Sequence, residues 1–404
     1  GKRLKGTAIE LTEIDPFTFF ANFNRGIKDE HRVAILRFLK DKLGLTAEVP
    51  EDFKGVPLAP LLKAWYFPYA FIRQPGSIPL LWDLAEDIVQ REPSEVRAEV
   101  FEKCLQIKQV GVAKLTMGMF WLRPDRYLAL DQVNRVFLEE QHGFAEKELK
   151  PKTLSAYLKL LTAVEDRVGH DLPAISYRAY SQGFVVDLDP ASGCAYAPVD
   201  LDDPALIASD GLAPSESDPR FHQQMVYAVA MRTIGAFEQA LGRPVLWAPH
   251  LERDAEGRVR AERFVARLRI HPHALREANA YYSPDRKALL FGYFRGGGGA
   301  GAEHLPGGLV FTCLSHDVIA HETTHALLDG LHPRFREATN PDVLAFHEAF
   351  SDMVALFQHF GIPEALEGEI ARTRGDLGQG NLLGALARQF GQALHGHGAL
   401  RDFI

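Results

Sequence analysis

Two short stretches carry residue types that can do chemistry together: His321-Glu322-Thr323-Thr324-His325 and, one helical segment later, Glu348-Ala349-Phe350-Ser351-Asp352. Histidines at i and i+4 share one helix face about a turn apart, so both imidazoles can reach a single metal ion. Glu322 follows the first histidine and is carried round the helix to meet a metal-bound water rather than the metal. Glu348 then serves as third ligand and leaves a fourth position open for water or a substrate carbonyl. That open position separates a catalytic zinc from a structural one. Asp352, one turn after Glu348, is placed to accept the second N–H of a ligand histidine. Burying two His, two Glu and one Asp without a metal would be costly, which disfavours two packed helices with incidental polar residues.

Such a constellation needs two helices to hold it. Ser315 suits the cap of the first, Asp317 favours its positive end, and Val318, Ile319, Leu327 and Leu328 fall at packing positions. The second has Asn340 as cap and Pro341 at its first position. Val343, Leu344, Phe346, Phe350, Met353, Val354 and Phe357 follow at core spacing.

The run DVIAHETTHALLDG (Asp317 to Gly330), followed by HEAFSD (His347 to Asp352), resembles the thermolysin-like zinc metallopeptidases, the gluzincins. The resemblance implies zinc held by His321, His325 and Glu348, Glu322 as general base and acid, and Asp352 as partner of a ligand histidine. The implied reaction is hydrolysis of a peptide or protein substrate through a zinc-bound water that Glu322 activates. Asp317 and Asp329 match the family as well. Asn279 to Tyr282, in NAYYSP, is similar to the family's Asn-Ala-aromatic-aromatic edge strand, which implies that the Asn279 side chain and the Ala280 carbonyl bind the substrate backbone. Asp218 to Gly242, with His222 near its start, looks like the family's long amphipathic helix. From about Phe184 onward the chain also resembles a bacterial group of proteins that carry this peptidase core.

The sequence departs from the family pattern in three places. His347 stands where the family usually has Asn. No Tyr follows the HETTH helix, where Arg334 and Arg336 lie instead and could bring positive charge to an oxyanion. The family's His and Arg that bind the reacting carbonyl come from a helical domain well beyond the second metal helix. Here only His395 and His397 remain before Ile404, so the expectation is a peptidase domain lacking its C-terminal helical part.

Length and composition frame these readings. A chain of 404 residues suggests two or three domains, and 46 % apolar residues can build real cores. A net charge of -8 argues against a generally basic nucleic-acid binder. Cys104, Cys194 and Cys313 are far apart with no paired spacing, which fits a reducing compartment or simply few disulfides and offers no thiolate metal site. No apolar run approaches the roughly 18 to 20 residues of a membrane span, and the start contains no signal-peptide core, so a cytoplasmic protein without a membrane partner is expected.

The texture of the chain changes near residue 181. Before it, 28–43, 78–90, 93–107, 112–122, 131–141 and 153–168 all show helical apolar spacing. After it come candidate strands at Phe184 to Asp189, Pro244 to Pro249, Phe264 to Ile270 and Ala288 to Phe294, mixed with a helix over 219–241. The expected fold is therefore α+β, with a mostly helical domain over 1–181 and a zincin-type domain over 182–404 carrying a mixed or antiparallel sheet and two metal-site helices. The glycine run from Gly296 lacks the Lys and Ser or Thr of a phosphate loop and reads as a loop beside the cleft or a connector.

The amino-terminal region has its own resemblance. IDPFTFFANFNRGI, AWYFPYAF and GVAKLTMGMFWLRPDRYLALDQVNR, within Ile14 to Tyr180, look like the domain that precedes the ATPase module in McrB-like restriction proteins. Gly111 before a helix, with Pro124 and Asp131 beyond it, is loosely similar to the hairpin-helix of base-excision glycosylases, where an Asp does chemistry on a flipped base. Nucleic acid is accordingly the partner to test for this domain, and a defence module with the peptidase as effector is the second reading. A catalytically inactive zinc scaffold is the third. Trp65, Tyr66, Phe67, Tyr69 and Phe71 read as a buried corner before base-stacking residues. His304, His316 and His332 lack ligand spacing. Glu364, Glu367, Glu369 and Asp376 lie where relatives bind calcium and read mainly as a solvated face.

Overall fold

The computed structural model describes residues 2–4, 7–9, 13–59, 73–201, 203–297, 307–337, 339–376, 385–386 and 401–402. The aromatics from Trp65 to Phe71, the glycine run from Gly298, His304, His395 and His397 lie outside them. The chain divides into two compact units, residues 1–181 with 242–244 and residues 182–241 with 245–404.

The first unit opens with an antiparallel pair, β1 (Lys2–Leu4) and β2 (Thr7–Ile9), and continues as helices. These are α1 (Pro16–Ala21), α2 (Asp29–Leu43), α3 (Ser77–Gln90), α4 (Ala98–Gln106), α5 (Val112–Leu122), α6 (Gln132–His142), α7 (Leu154–Arg167) and α8 (Leu172–Ala179). Side-chain oxygens of Asp15, Asp131, Thr153 and Asp171 cap the starts of α1, α6, α7 and α8 by accepting orphan backbone N–H groups. One core gathers Phe17, Leu81, Leu84, Ile88, Phe101, Leu115, Met119 and Leu128. Gly118 on α5 faces the Phe17 ring so closely that an added Cβ would lie 2.1 Å from it. Asp87, on α3, receives hydrogen bonds from Arg91 at 3.0 Å and Arg97 at 2.8 Å, and the arginines outweigh its burial to hold the carboxyl below the usual range. Asp131 turns its carboxylate inward, to Asn134 Nδ2 at 2.8 Å and Tyr180 OH at 2.7 Å. That is the geometry of a cap and tie rather than of a group facing a substrate.

The second unit is a mixed five-stranded sheet packed with helices. It contains β3 (Gly183–Val185), β4 (Leu188–Asp189), β5 (Cys194–Ala195), α9 (Pro204–Ala208), α10 (Pro219–Leu241), β6 (His250–Arg253), β7 (Val259–Arg263) and β8 (Leu268–Leu275). β9 (Ala280–Ser283), β10 (Ala288–Arg295), β11 (Leu309–Phe311), α11 (His316–Leu331), α12 (Pro341–His359) and α13 (Pro363–Thr373) follow, then a short pair, β12 (Ala385–Leu386) and β13 (Arg401–Asp402). β8 runs parallel to β3 on one side and to β10 on the other. The far side of β10 takes β9 and then β11, both antiparallel. The first six residues of β10 are all buried, as expected of a strand covered on both faces. Val226, Ala230 and Ile234 of α10, together with Ile319, Ala326 and Leu327 of α11, share one core with Leu268, Ile270, Leu289 and Phe291 of the sheet.

Three expectations shift. Residues 244–249 form no strand, since Pro244 and Pro249 bracket the segment and neither can donate to a ladder. The strand expected over 264–270 instead starts at Leu268 and continues to Leu275, its register with β10 slipping around Pro272. The helix α12 buries His347, Ser351, Asp352 and Ala355, whereas Leu344, Phe346, Met353 and Phe357 are exposed. Its buried stripe is the polar one, because that is the side facing α11.

Among the described residues no helix is long and apolar enough to cross a membrane.

Candidate metal centre

The helix α11 starts at Ser315, whose Oγ accepts the Val318 N–H, and the hydroxyls of Thr323 and Thr324 bond back to the carbonyls of Ile319 and Ala320 at 2.7 and 2.8 Å. Those two threonines are fully buried, so the face carrying His321 and His325 is turned to α12 by its neighbours' packing. At its far end Gly330 meets the backbone of the 244–249 segment. An added Cβ would lie 2.0 Å from the Leu246 carbonyl oxygen, so only glycine fits.

The imidazoles converge. His321 Nε2 and His325 Nε2 are 2.9 Å apart, and the Glu348 carboxylate reaches them at 3.4 and 3.5 Å respectively. Ligands bound at about 2.0–2.1 Å around a tetrahedral ion are separated by about 3.3 Å, so this donor set fits zinc with only small adjustment. Each imidazole's outer nitrogen is also held. Asp352 Oδ1 lies 2.9 Å from His321 Nδ1, and His347 Nδ1 lies 2.8 Å from His325 Nδ1 with the two rings stacked. Ser351 Oγ is a second neighbour of His325 Nδ1, at 3.3 Å.

Electrostatics follow from this packing. Burial depresses the His321 imidazole, but the bonds to Asp352 and Glu348 prevail and hold it up at about 9. Burial, followed by the neighbouring His321 charge, pushes His325 down to about 3. Burial and then Arg336 lower His347, and a neutral ring there can accept the His325 N–H. His347 thus sits against the second histidine as Asp352 sits against the first.

Across from this group lies the edge strand β9. The Tyr282 backbone N–H donates to Glu322 Oε2 at 2.8 Å, and the Tyr282 hydroxyl donates to Asp329 Oδ2 at 2.8 Å. Lys287 Nζ bonds the same Asp329 oxygen at 3.1 Å. Burial, and then Asp329, push the Tyr282 phenol up, so it remains a donor. Asn279 and Ala280 sit where β9 begins, set by a close backbone approach. A Cβ on Gly292 would come within 2.3 Å of the Glu277 carbonyl oxygen and 2.6 Å of the Asn279 one.

A cavity of about 500 Å³ is lined by His321, Glu322, His325, Glu348, Asp352 and Arg336, with Asn279 to Tyr282 along one wall. The seven residues expected as metal ligands, base, histidine partner and substrate anchors, His321, His325, Glu348, Glu322, Asp352, Asn279 and Ala280, all line it. Arg336 reaches the cavity and lies 3.7 Å from Asp329, while Arg334 is exposed and does not line it. The acids of α13 do not gather into an oxygen cage: Glu369 is paired to Arg372 at 2.8 Å, and Glu364 and Glu367 are not buried. His316 contacts Asp317 at 3.4 Å, and His359 hydrogen-bonds the same carboxylate.

Residues 2–182 match the family model described as a domain of unknown function, DUF8425. The cavity and all its residues lie beyond that match. No curated protein and no solved structure is detectably similar to the chain.

Proposed function

We propose that the second unit is a zinc-dependent metallopeptidase of thermolysin-like design that hydrolyses peptide bonds in the cavity between β9 and the paired helices. One observation carries the reading: two Nε2 atoms and the Glu348 carboxylate converge beside a separate carboxylate, Glu322, that the edge strand holds in place. A bound zinc would supply Lewis-acid polarisation of the scissile carbonyl and acidify a water in the cleft.

The chain's own residues do the rest. Asp352 and His347 fix the histidine tautomers so that both Nε2 lone pairs point inward. In this reading Glu322 acts as the base: it takes a proton from the attacking water and passes it to the leaving amine. The edge of β9 away from β10 adds the substrate as a further strand, with the Asn279 side chain and Ala280 carbonyl as polar anchors. Arg336, on the cavity wall, is the cation nearest to hand for the oxyanion.

Glu322→Gln tests this reading. The amide oxygen can still accept the Tyr282 N–H, so zinc content and fold are retained, while hydrolysis of an unstructured protein falls by about 10²–10⁴-fold, the worth of a general base. Undiminished hydrolysis by the variant would sink the assignment.

A further inference from the structure

Outside the cavity lining, a second pair of histidines repeats the same arrangement without any sequence spacing to announce it. His222 of α10 and His273 of β8 are 1 % and 3 % exposed, and their Nδ1 and Nε2 atoms face one another at 2.8 Å. Each outer nitrogen ends on an acceptor. His273 Nδ1 meets Asp187 Oδ1 at 2.7 Å, and His222 Nε2 meets the Glu216 carbonyl oxygen at 3.1 Å. Asp187 is in turn fixed by Gln223 Nε2 at 2.9 Å. The thiol of Cys313, in the turn between β11 and α11, is fully buried, and its sulfur lies within 4.8 Å of a nitrogen of each histidine.

Counting protons shows what this geometry asks for. Three contacts run through two imidazoles, and both ends of the chain accept, so both outer nitrogens carry hydrogen. Two neutral rings have only two N–H groups. Both inner nitrogens are then lone pairs facing each other at hydrogen-bond distance, an arrangement that calls for a metal ion or a shared proton to join them.

We propose that His222 Nδ1, His273 Nε2 and Cys313 Sγ form a second, buried site for a zinc-class ion. A carboxylate and a backbone carbonyl behind two ligand histidines are the outer partners such ligands use. The His₂Cys donor set selects a borderline-soft ion such as zinc over calcium or magnesium. Phe311 packs on both rings, with centroids at 4.5 and 5.6 Å, which closes the site to substrate and gives it a structural character. The ion joins α10, β8 and the turn that leads into α11, and Cys313 gives up its proton to solvent on binding. This inference is independent of what the cleft does.

Cobalt(II) separates the two sites in the full chain, because only the buried one contains sulfur. The metal-stripped protein, titrated with cobalt, should develop a thiolate-to-cobalt charge-transfer band in the near ultraviolet, complete by two equivalents in the parent and by one equivalent once the cleft histidines are replaced. The His321→Ala/His325→Ala variant should keep that band at full strength, and Cys313→Ala should lose it. The cleft variant leaves the buried donors untouched, so it carries the test even where the cysteine variant folds poorly. A titration with no such band, with a proton sitting between the histidines instead, overturns the proposal, as does a band that survives in Cys313→Ala.

Discussion

Asp352 offers the sharpest quantitative test of the cleft. Its Oδ1 lies 2.9 Å from His321 Nδ1, and both side chains are mostly buried. Replacing it by Ala leaves that N–H without its charged acceptor in a poorly hydrated place, a loss of about 1.5–3 kcal/mol for a hydrogen bond to a charged group. Deleting an outer partner of a metal ligand costs about 10–100-fold in affinity, equivalent to about 1.4–2.7 kcal/mol, so the two routes agree. Asp352→Asn keeps an acceptor oxygen but not the charge, and should forfeit about half as much. The assay is zinc competition against a chromophoric chelator, run in a Cys313→Ala background so that only the cleft reports. Glu322→Gln is the control and should bind zinc as its parent does. Parental affinity in Asp352→Ala would refute the claim that this carboxylate orients His321 toward a metal.

His347→Ala should weaken zinc by about 10-fold or more, since His325 Nδ1 loses its neighbour at 2.8 Å, whereas His347→Asn should recover most of the affinity by offering an amide oxygen; equal affinity in all three proteins would contradict the positioning role. Gly292→Ala should displace the backbone at Glu277 and Asn279, so peptide hydrolysis falls by about 10²-fold while zinc affinity changes little, as steady-state kinetics beside metal titration would reveal. In the first unit, Asp87→Asn should destabilise by about 1–3 kcal/mol in chemical denaturation. The Asp87 carboxyl is held below its usual range, so its contribution is complete above about pH 4 and vanishes as pH falls through the folded value; a mutant-to-parent gap that stays constant into strong acid would count against the pairing with Arg91 and Arg97.

Much of this architecture is legible in the residues, and the parts that are not have physical reasons. Helices such as α5, α6 and α7 declare themselves because each must bury a stripe of apolar side chains, and their caps at Asp131 and Thr153 can be read directly. The strand β7 gives no such signal, since all five of its residues are exposed and nothing selects for alternation. Residues 244–249 mislead for the opposite reason: Val245 and Trp247 are buried, yet the segment packs as a loop against Gly330. In the cleft, His321, Glu322 and His325 are close because one helix makes them close. The approach of Glu348 and Asp352 could be anticipated from helix period alone, but the place of His347 against His325 needed the crossing of α11 and α12. His222, His273 and Cys313 come from three distant elements, and only the sheet brings them together.

The helix α12 sets His347, Ser351 and Asp352 against the protein and leaves Leu344, Phe346, Met353 and Phe357 exposed, so apolar burial through Ala355 and Leu356 is only part of what seats it. Its grip on α11 runs through Glu348, Asp352, Ser351 and His347, the same groups that face or brace the histidines. With the proposed metal bound, its supply and the local folding of α12 would be one equilibrium. A bound ion at a hundred times its Kd would add about 2.7 kcal/mol to the seated state. If the proposed zinc seats this helix, its removal should loosen α12 before the rest of the unit and expose a wall of the cavity to proteolysis, so the protein's lifetime would follow the metal supply.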